Sequence, residues 1–313
     1  MELIRDFQNL RKNDTAIAGG KGASLGEMTQ AGVSVPAGFV ILASAFDIFL
    51  EEADINVEIE ALLHKLNFKN INSVNRISNE IRGLILNAEF PKDLAKEAIK
   101  EFSKLKASYI AVRSSATAED SSVASWAGEL ESYLNATKQN LLEDIKRCWA
   151  SLFTPRAIFY RFEKKLNKTK VSVAVVIQKM VQSEISGICF TVHPITKDYD
   201  QMVIEAGYGL GETIVGGKIT PDTYVVRKKD WIILDKNIGQ QKIMLLKNKN
   251  GNIEKRVPKA KQQKQKLSEA EILKLSKICR RIEKHYKTPQ DIEWALQKGK
   301  FYILQSRPIT TLI

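Results

Sequence analysis

Two hydrophobic patterns alternate with polar positions along this chain. Between 46 and about 103, apolar side chains recur at helical spacing among paired charges, which predicts helices broken near 67–72 and at Pro91. Further helices are predicted over 22–31, over 141–162 with a break at Pro155, and over 268–286. The last of these opens with a capping box from Ser268 to Glu271. Helical periodicity therefore dominates the first part of the chain.

Continuous apolar runs dominate the later part. They predict buried strands over 171–178 and 187–192, and shorter strands over 107–113, 202–206 and 223–227. A run over 33–42 predicts a turn and then a strand, and 231–253 predicts hairpins. A last hairpin turns at Lys298-Gly299-Lys300. The fold class predicted is α+β in two lobes, 1–180 and 181–313, helix-rich first and strand-rich later.

Composition restricts the class of protein. Of the 313 residues, 44% are hydrophobic and 27% charged, as in ordinary globular proteins. No apolar run reaches the ~20 residues of a membrane span, and the start Met-Glu-Leu-Ile-Arg-Asp is not typical of a signal peptide. Three widely separated cysteines favour neither a disulfide framework nor a CxxC metal site. We therefore expect a cytoplasmic protein that does not bind membranes.

The net charge of +12 indicates an acidic partner, a nucleotide or a nucleic acid. Part of this charge lies in a Lys- and Gln-rich run over 255–266 that contains no aromatic residue. Such a run favours a solvated linker over a nucleic-acid groove, where stacking aromatics are the rule. No nucleic-acid partner is expected.

Two cations lie where phosphates commonly bind. Lys21 stands between glycines at the start of a predicted helix, where backbone N–H groups and the helix dipole favour an anion. The segment is not a Walker A loop, because Thr15 occupies the position of its first glycine. Arg113 ends a predicted strand, and the hydroxyl-rich segment 114–127 follows. A solvent-exposed turn lysine and a strand-end arginine paired with a carboxylate remain the alternatives.

The last hairpin carries a candidate metal site. Glu293 and Gln305 can face the same side of neighbouring strands, and their oxygens suit Mg²⁺, which usually also takes phosphate oxygens. Arg307 would share that face and offer a fork to a phosphate. The alternative is an ordinary hairpin whose polar residues lie in solvent.

Two further strand ends are candidates for nucleotide binding. The segment 178–181 can present backbone groups to a purine edge, with Met180 as an apolar wall, or it is a plain strand end. Glu205 precedes glycines at alternate positions that allow close backbone approach. Glu205 or Glu212 can meet a ribose hydroxyl or a metal. A second Gly-Gly-Lys stretch, 216–218, also lacks the first glycine of a P-loop.

Taken in order, several stretches resemble one family over essentially the whole chain. It is the N-terminal ATP-binding domain of phosphoenolpyruvate synthase, pyruvate phosphate dikinase and rifampicin phosphotransferase. The matching stretches are Gly-Gly-Lys-Gly-Ala-Ser-Leu-Gly-Glu-Met (19–28), Val-Pro-Ala-Gly-Phe (35–39), Val-Arg-Ser-Ser-Ala-Thr-Ala-Glu-Asp (112–120), Cys-Trp-Ala-Ser-Leu-Phe (148–153), Gly-Leu-Gly-Glu (209–212), Pro-Asp-Thr-Tyr (221–224), Asp-Ile-Glu-Trp-Ala (291–295) and Leu-Gln-Ser-Arg-Pro-Ile-Thr (304–310).

The resemblance implies an ATP-grasp fold, with ATP held between two lobes, and roles for individual residues. It assigns triphosphate binding to Lys21, Arg113 and Arg307, Mg²⁺ binding to Glu293 and Gln305, a phosphate-covering loop to Gly128 and Ser132, and the adenine hinge to Gln178, Lys179, Met180 and Val181. It also implies that a β-phosphoryl or pyrophosphoryl group passes from Mg·ATP to a histidine on a separate swivelling domain, with release of AMP.

The chain departs from the family pattern in two ways. Its phosphate loop reads Ser-Trp-Ala-Gly-Glu-Leu-Glu-Ser (125–132) where the family has Ser-Phe-Ala-Gly-Gln-x-Glu-Thr, so Glu129 adds a negative charge while Ser132 keeps the hydroxyl. Family members also continue into phosphohistidine and pyruvate-binding domains, and none of the three histidines here has the family's Thr-x-His setting. We therefore expect an ATP-binding part of a phosphotransferase, whose histidine lies elsewhere in the polypeptide or on another subunit. The alternatives are an antibiotic kinase domain of the rifampicin phosphotransferase type and an ATP sensor without chemistry.

Overall fold

The computed structural model describes residues 1–117, 130–166, 171–248, 251–309 and 312. The helices within these residues are α1 (Thr15–Gln30), α2 (Ala43–Glu52), α3 (Asn56–His64), α4 (Ile71–Asn87), α5 (Lys92–Lys104), α6 (Leu141–Ala150), α7 (Pro155–Glu163), α8 (Glu212–Val215) and α9 (Glu269–Tyr286). The strands are β1 (Ile4–Asp6), β2 (Gly38–Ile41), β3 (Ile110–Ala116), β4 (Ser132–Ala136), β5 (Val173–Lys179), β6 (Ile185–Phe190), β7 (Gln201–Tyr208), β8 (Asp222–Arg227), β9 (Ile232–Asn237), β10 (Ile243–Asn248), β11 (Gly251–Arg256), β12 (Gln290–Gln297) and β13 (Lys300–Pro308).

These elements form two compact units. The first contains 1–27 and 37–180, and the second contains 28–36 and 181–313. The sequence-based division puts 28–36 in the first lobe, whereas the structure groups it with the second unit. There the Ile303 N–H donates to Ser34 O (2.9 Å), and Arg281 Nη2 donates to Gly32 O (2.8 Å).

The first unit is built on an antiparallel sheet with the strand order β1-β2-β5-β3-β4. One face of this sheet packs on helices through alternate residues of β3 and β5, such as Val112 and Val175. The same core holds Trp149, whose ring stacks on Phe46 and Phe49 at centroid distances of 5.5 and 4.8 Å. The opposite face of the sheet carries the candidate site residues and α1.

The sequence placed the end of one strand wrongly. The expected strand over 107–113 runs instead to Ala116, so Arg113 lies in mid-strand rather than at its end. Two serines that are typical of loops continue the strand because each is buried and hydrogen-bonded: Ser114 Oγ donates to Glu131 O (2.9 Å), and Ser115 Oγ donates to Ala18 O (2.9 Å). Strand β4, which pairs with β3, was not predicted.

The second unit is built on a sheet with the order β13-β12-β6-β7-β8-β9, and neighbouring strands in it are antiparallel. Helix α9 packs against one face through Ile272, Leu275 and Ile282. The predicted capping box is confirmed, since Ser268 accepts from the Glu271 N–H and Glu271 accepts from the Ser268 N–H. Strands β10 and β11 form a separate ribbon.

The basic run over 255–266 is only partly the predicted solvated segment. Its first cations are exposed, but Lys266 is buried and was assigned wrongly. Its Nζ lies 2.7 Å from Asp222 Oδ1, and the same carboxylate accepts bonds from the Gly239 N–H and the Tyr224 hydroxyl. Burial is tolerated because every polar group of this pair is hydrogen-bonded. Asp222 and Tyr224 of the Pro-Asp-Thr-Tyr motif thus have a structural function.

The predicted class, α+β with more helix early and more strand late, is confirmed. The two units agree with the two-lobed ATP-grasp fold that the resemblance implies. No helix among the described residues is long and apolar enough to cross a bilayer.

Candidate functional site

Lys21 lies at a new helix start inside α1. The helix is broken at Gly19, whose φ of 68° and ψ of 171° are not helical. A Cβ on Gly19 would lie 2.4 Å from the carbonyl oxygen of Ser115, so only glycine fits against β3 here. Ser115 Oγ then accepts from the Gly22 N–H (3.3 Å). Lys21 therefore stands in the first turn after the break, where the helix dipole favours anions.

Arg113 and Ser132 are brought together on the sheet face that α1 covers. They are directly opposite in the register of β3 and β4, so their side chains share a face. Arg113 is also opposite Val176, which is opposite Val40. A Cβ on Gly22 would lie 3.1 Å from Val40, so this turn of the helix lies close to Val40. Both residues were predicted from the sequence, although for Arg113 the expected strand-end position was wrong.

Gln178 shares the face of Arg113, since it lies two residues along β5 from Val176. Its side chain is 3% exposed, and its Nε2 has no hydrogen-bond partner among the described residues. A buried amide without a partner is costly, and such groups are typical of sites that a ligand completes. The Gln178 amide is therefore a buried polar group on this face that forms no hydrogen bond through Nε2 to the described residues.

Two backbone N–H groups of the segment 178–181, which the sequence predicts to face a purine edge, already have partners in the protein. The Lys179 N–H donates to Ala37 O (2.8 Å), and the Met180 N–H donates to Tyr109 O (3.0 Å). These two amides are therefore engaged within the first unit. Val181 is buried and belongs to the second unit. The hinge role of this segment stays a prediction that rests on its remaining backbone and side-chain groups.

In the second unit, three predicted residues lie in one row across a sheet. Glu293 on β12 is opposite Gln305 on β13 and opposite Ile188 on β6, which in turn is opposite Glu205 on β7. Residues opposite each other in this register point to one face, and it is not the face on which α9 packs. Gln305 is 6% exposed and Glu293 is half-buried, so these two residues do not lie fully in solvent.

Asp291 adds a carboxylate that the sequence reasoning did not select. It lies two residues before Glu293, on the same face, and opposite Arg307. Arg307 donates from Nε (2.9 Å) and Nη2 (2.8 Å) to Asp291 Oδ2. The second oxygen, Oδ1, is buried and has no partner among the described residues. The alternating spacing from Glu293 was the signal in the sequence that points to it.

The charges on this face interact. Burial raises the pKa of Asp291, and Arg307 only partly opposes this. Burial, and then the nearby charge of Asp291, raise the pKa of Glu205. Crowded carboxylates that resist ionisation favour a cation beside them. A cation near this face would therefore stabilise the ionised forms of Asp291 and Glu205.

Glu293 and Gln305 are the pair suited to Mg²⁺ by chemistry and register. Among the residues that the structure describes, no three or more His, Cys, Asp or Glu side chains form a metal cage. Mg²⁺ commonly binds through one or two carboxylates together with phosphate oxygens and waters. The unsatisfied Asp291 Oδ1 beside the pair is consistent with a cation there.

The glycine-rich stretches of this unit serve its own packing. A Cβ on Gly209 would lie 2.5 Å from Leu245 O, and Gly209 O accepts from Ser186 Oγ (2.7 Å). The sequence predicts that glycine here allows another group to approach the backbone closely, and at Gly209 that group is the backbone of Leu245. The stretch 216–218 ends α8, where the Lys218 N–H donates to Thr213 O (2.9 Å). Gly128 and Glu129 of the expected phosphate loop lie outside the described residues.

Comparison with known proteins decides the family. The model of the pyruvate phosphate dikinase AMP/ATP-binding domain matches residues 15–313. The chain belongs to this family. It is thus the ATP-binding domain of a phosphoenolpyruvate synthase and pyruvate phosphate dikinase family of phosphotransferases, as the resemblance implied.

Curated relatives of the domain carry two kinds of name. The chain is 46% identical over 320 residues to a probable phosphoenolpyruvate synthase of Methanocaldococcus jannaschii, covering 100% of this chain and 27% of that protein. A probable phosphoenolpyruvate synthase of Methanothermobacter thermautotrophicus is 44% identical, with 100% and 46% covered. The rifampicin phosphotransferase of Bacillus cereus is 41% identical, with 99% and 36% covered. The chain therefore spans less than half the length of these relatives.

Among solved structures, D-alanine-D-alanine ligase from Helicobacter pylori is similar with a TM-score of 0.30 and 11% identity, covering 91% of this chain and 52% of that one.

Proposed function

We propose that this domain binds Mg·ATP and transfers a phosphoryl or pyrophosphoryl group to a histidine on a separate swivelling domain, releasing AMP. The observation that carries this proposal is the row of Glu205, Glu293 and Gln305 on one sheet face within the matched family domain. These groups are of the kind that Mg²⁺ and a ribose hydroxyl require.

Triphosphate binding is assigned to Lys21, Arg113 and Arg307. Lys21 offers a mobile charge at a helix start, Arg113 lies on a sheet face beside the Ser132 hydroxyl, and Arg307 offers a planar fork that can hold a phosphate as it holds Asp291. The nucleobase is assigned to 178–181, where the unpartnered Gln178 amide supports a polar ligand.

Phosphoryl transfer depends mainly on positioning and charge stabilisation. In the proposed step a histidine nitrogen bonds to the β-phosphorus, while the oxygen that bridges the α- and β-phosphorus atoms leaves with AMP, so the histidine first carries the pyrophosphoryl group. A phosphohistidine results when water then attacks the γ-phosphorus and inorganic phosphate leaves. Lys21, Arg113 and Arg307 stabilise the negative charge that develops on the phosphate oxygens. Mg²⁺, held by Glu293 and Gln305, would neutralise further charge and orient the phosphates.

The acceptor histidine is proposed to lie on a domain outside this chain, in the same polypeptide or on a partner subunit. The greater length of the relatives supports this, because the chain covers only 27% to 46% of those proteins named phosphoenolpyruvate synthase. We favour pyruvate as the final acceptor. A rifampicin-type antibiotic is the alternative, because relatives of both kinds have similar sequence identity to this chain.

Calorimetric titration with ATP in the presence of Mg²⁺ tests the nucleotide site. Arg307→Ala should weaken ATP binding by about tenfold or more, because a charge-assisted fork is lost. Arg227→Ala is the matched control, since Arg227 also forks onto an aspartate, Asp230, at the surface of the same sheet. Glu293→Gln should remove the dependence of affinity on Mg²⁺. Absence of ATP binding by the wild-type chain, or equal binding by Arg307→Ala, would contradict the proposal.

An assay of AMP release separates catalysis from sensing. The chain is incubated with ATP, Mg²⁺ and a swivelling histidine domain from a relative or a neighbouring gene. Transfer predicts AMP in amounts that match the phosphorylated histidine. ATP binding without AMP release would instead support a sensor that performs no chemistry.

A further inference from the structure

A buried hydroxyl network lies behind β3, on the face away from the candidate phosphate residues. Ser114 and Ser151 are 1% and 0% exposed, and their Oγ atoms are 3.0 Å apart. Ser114 Oγ is 2.9 Å from Glu131 O, and Ser151 Oγ is 2.7 Å from Cys148 O. The network therefore connects the end of α6 to the residue just before β4.

The distances give this network a direction. Ser114 Oγ has two carbonyl oxygens in reach, Glu131 O at 2.9 Å and Cys148 O at 3.2 Å, but only one proton to donate. Ser151 Oγ lies closer to Cys148 O, at 2.7 Å, so Ser151 donates there and Ser114 donates to Glu131 O. The Ser114 N–H also donates to Glu131 O (3.2 Å). The carbonyl of Glu131 thus accepts hydrogen bonds from the N–H and the hydroxyl of one buried serine.

The side chain of Glu131 is held independently. The Tyr133 hydroxyl donates to its Oε2, and Arg82 Nη2 lies 3.8 Å from its Oε1. The guanidinium of Arg147 covers the Tyr133 ring at 5.8 Å. Burial raises the pKa of Tyr133, so the phenol stays protonated and remains a donor at neutral pH.

The strand that follows needs such anchoring. Strand β4 is short, lies at the sheet edge, and its pairing with β3 is irregular between Ile110 and Val112. Asn135 within it has a left-handed φ of 59°. An interrupted ladder holds its strand less firmly than a regular one. Next to Ser132 the regular pairing consists only of Val112 with Tyr133 and Arg113 with Ser132, so the bonds that hold Glu131 extend a short ladder.

We propose that Ser114, Ser151 and Tyr133 are positioning residues that fix Glu131, so that the next residue, Ser132, keeps its hydroxyl beside Arg113 to contact the terminal phosphates of ATP. This inference rests on the proposed function. The positioning residues touch no ligand themselves and act through the backbone and carboxylate of Glu131.

Affinities for ATP and AMP, measured by calorimetry with Mg²⁺, test the inference. Tyr133→Phe and Ser114→Ala should each weaken ATP binding by about three- to tenfold, the effect of one displaced hydrogen bond, and leave AMP binding unchanged. Ser114→Thr, which keeps the hydroxyl, should restore ATP affinity. Tyr133→Phe removes one half-buried hydroxyl only, so it serves if the buried Ser114→Ala variant fails to fold.

The control variant is Ser276→Ala, which loses a fully buried hydroxyl that donates to Ile272 O (2.8 Å) in α9. It should change neither affinity. A double-mutant cycle adds the decisive readout: on a Ser132→Ala background, Tyr133→Phe should have no further effect on ATP affinity.

Failure of the positioning role and failure of the proposed function give different results. Equal weakening of ATP and AMP, unchanged ATP affinity, or additive effects with Ser132→Ala would overturn the positioning role. Wild-type chain that binds no ATP would overturn the proposed function itself, before any variant is compared.

Discussion

Replacing Gly19 by alanine should both destabilise the first unit and weaken ATP binding. The backbone at Gly19 has φ 68° and ψ 171°, a region open essentially to glycine alone, where another residue stores about 1–3 kcal/mol. The new Cβ would lie 2.4 and 2.6 Å from the carbonyl oxygen and carbon of Ser115. These atoms belong to a central strand, so their displacement costs about 1–3 kcal/mol more.

The sum, about 2–6 kcal/mol, is a large fraction of the stability of a typical domain. It should lower the Tm of the first unit by about 10 °C. Because the helix start that carries Lys21 must move, ATP affinity should fall as well. Thermal unfolding followed by circular dichroism and calorimetric ATP titration measure the two effects.

Two other glycines provide controls, Gly83 in the first unit and Gly32 in the second. Gly32 has the same φ of 68° but open space where a Cβ would lie, so Gly32→Ala should cost only the conformational term of about 1 kcal/mol. Gly83 lies within α4 with open space and ordinary φ, so Gly83→Ala should stabilise by about 0.5–1 kcal/mol. If Gly19→Ala is no more destabilising than Gly32→Ala, the steric reasoning is wrong.

Three further predictions concern buried polar groups. Lys266→Met should destabilise the fold by about 3–5 kcal/mol in urea unfolding, because it leaves Asp222 buried without its cation. The control Lys261→Met, at an exposed lysine, should change stability little. Equal effects of the two substitutions would refute the role of the buried pair. Burial raises the pKa of Asp144 above its usual 3.8, so the folded state binds the proton more tightly and stability decreases as pH rises from 3.8 to the folded-state value. Asp144→Asn should abolish that decrease in a pH series of unfolding curves, and an unchanged slope would count against it. Gln178→Leu should stabilise the fold by about 1 kcal/mol, because it removes an unpartnered buried amide, and should weaken ATP binding. If the variant instead loses both stability and ATP affinity, Gln178 has a packing role.

The elements with strong local signals were predictable. Helix α9 and its capping box follow from apolar spacing and from Ser268 and Glu271, both local in sequence. The closing hairpin follows from two apolar runs and a Lys-Gly-Lys turn, and its pairing of Glu293 with Gln305 was expected from alternation. Such features depend on neighbours a few residues away, which a sequence displays directly.

Features that depend on distant partners were not predictable. Ser114 and Ser115 look like loop residues, yet they continue β3 because Glu131 and Ala18 accept their hydroxyl protons. Lys266 looks like one more solvated lysine, yet Asp222 lies against it. Alternating spacing in the hairpin points to Asp291, but only the structure shows that Arg307 bonds one of its oxygens and that the other is buried without a partner among the described residues.

The sequence by itself determined the fold class, the family and the residue types of the candidate site, because these are carried by periodicity and by ordered motifs. Only the tertiary structure decided which polar groups are satisfied by the protein and which are not. That distinction separates Asp222, fully bonded and structural, from Gln178 and Asp291, which retain an unpartnered buried atom. The physical reason is that hydrogen-bond satisfaction depends on contacts between residues far apart in sequence, which local patterns do not encode.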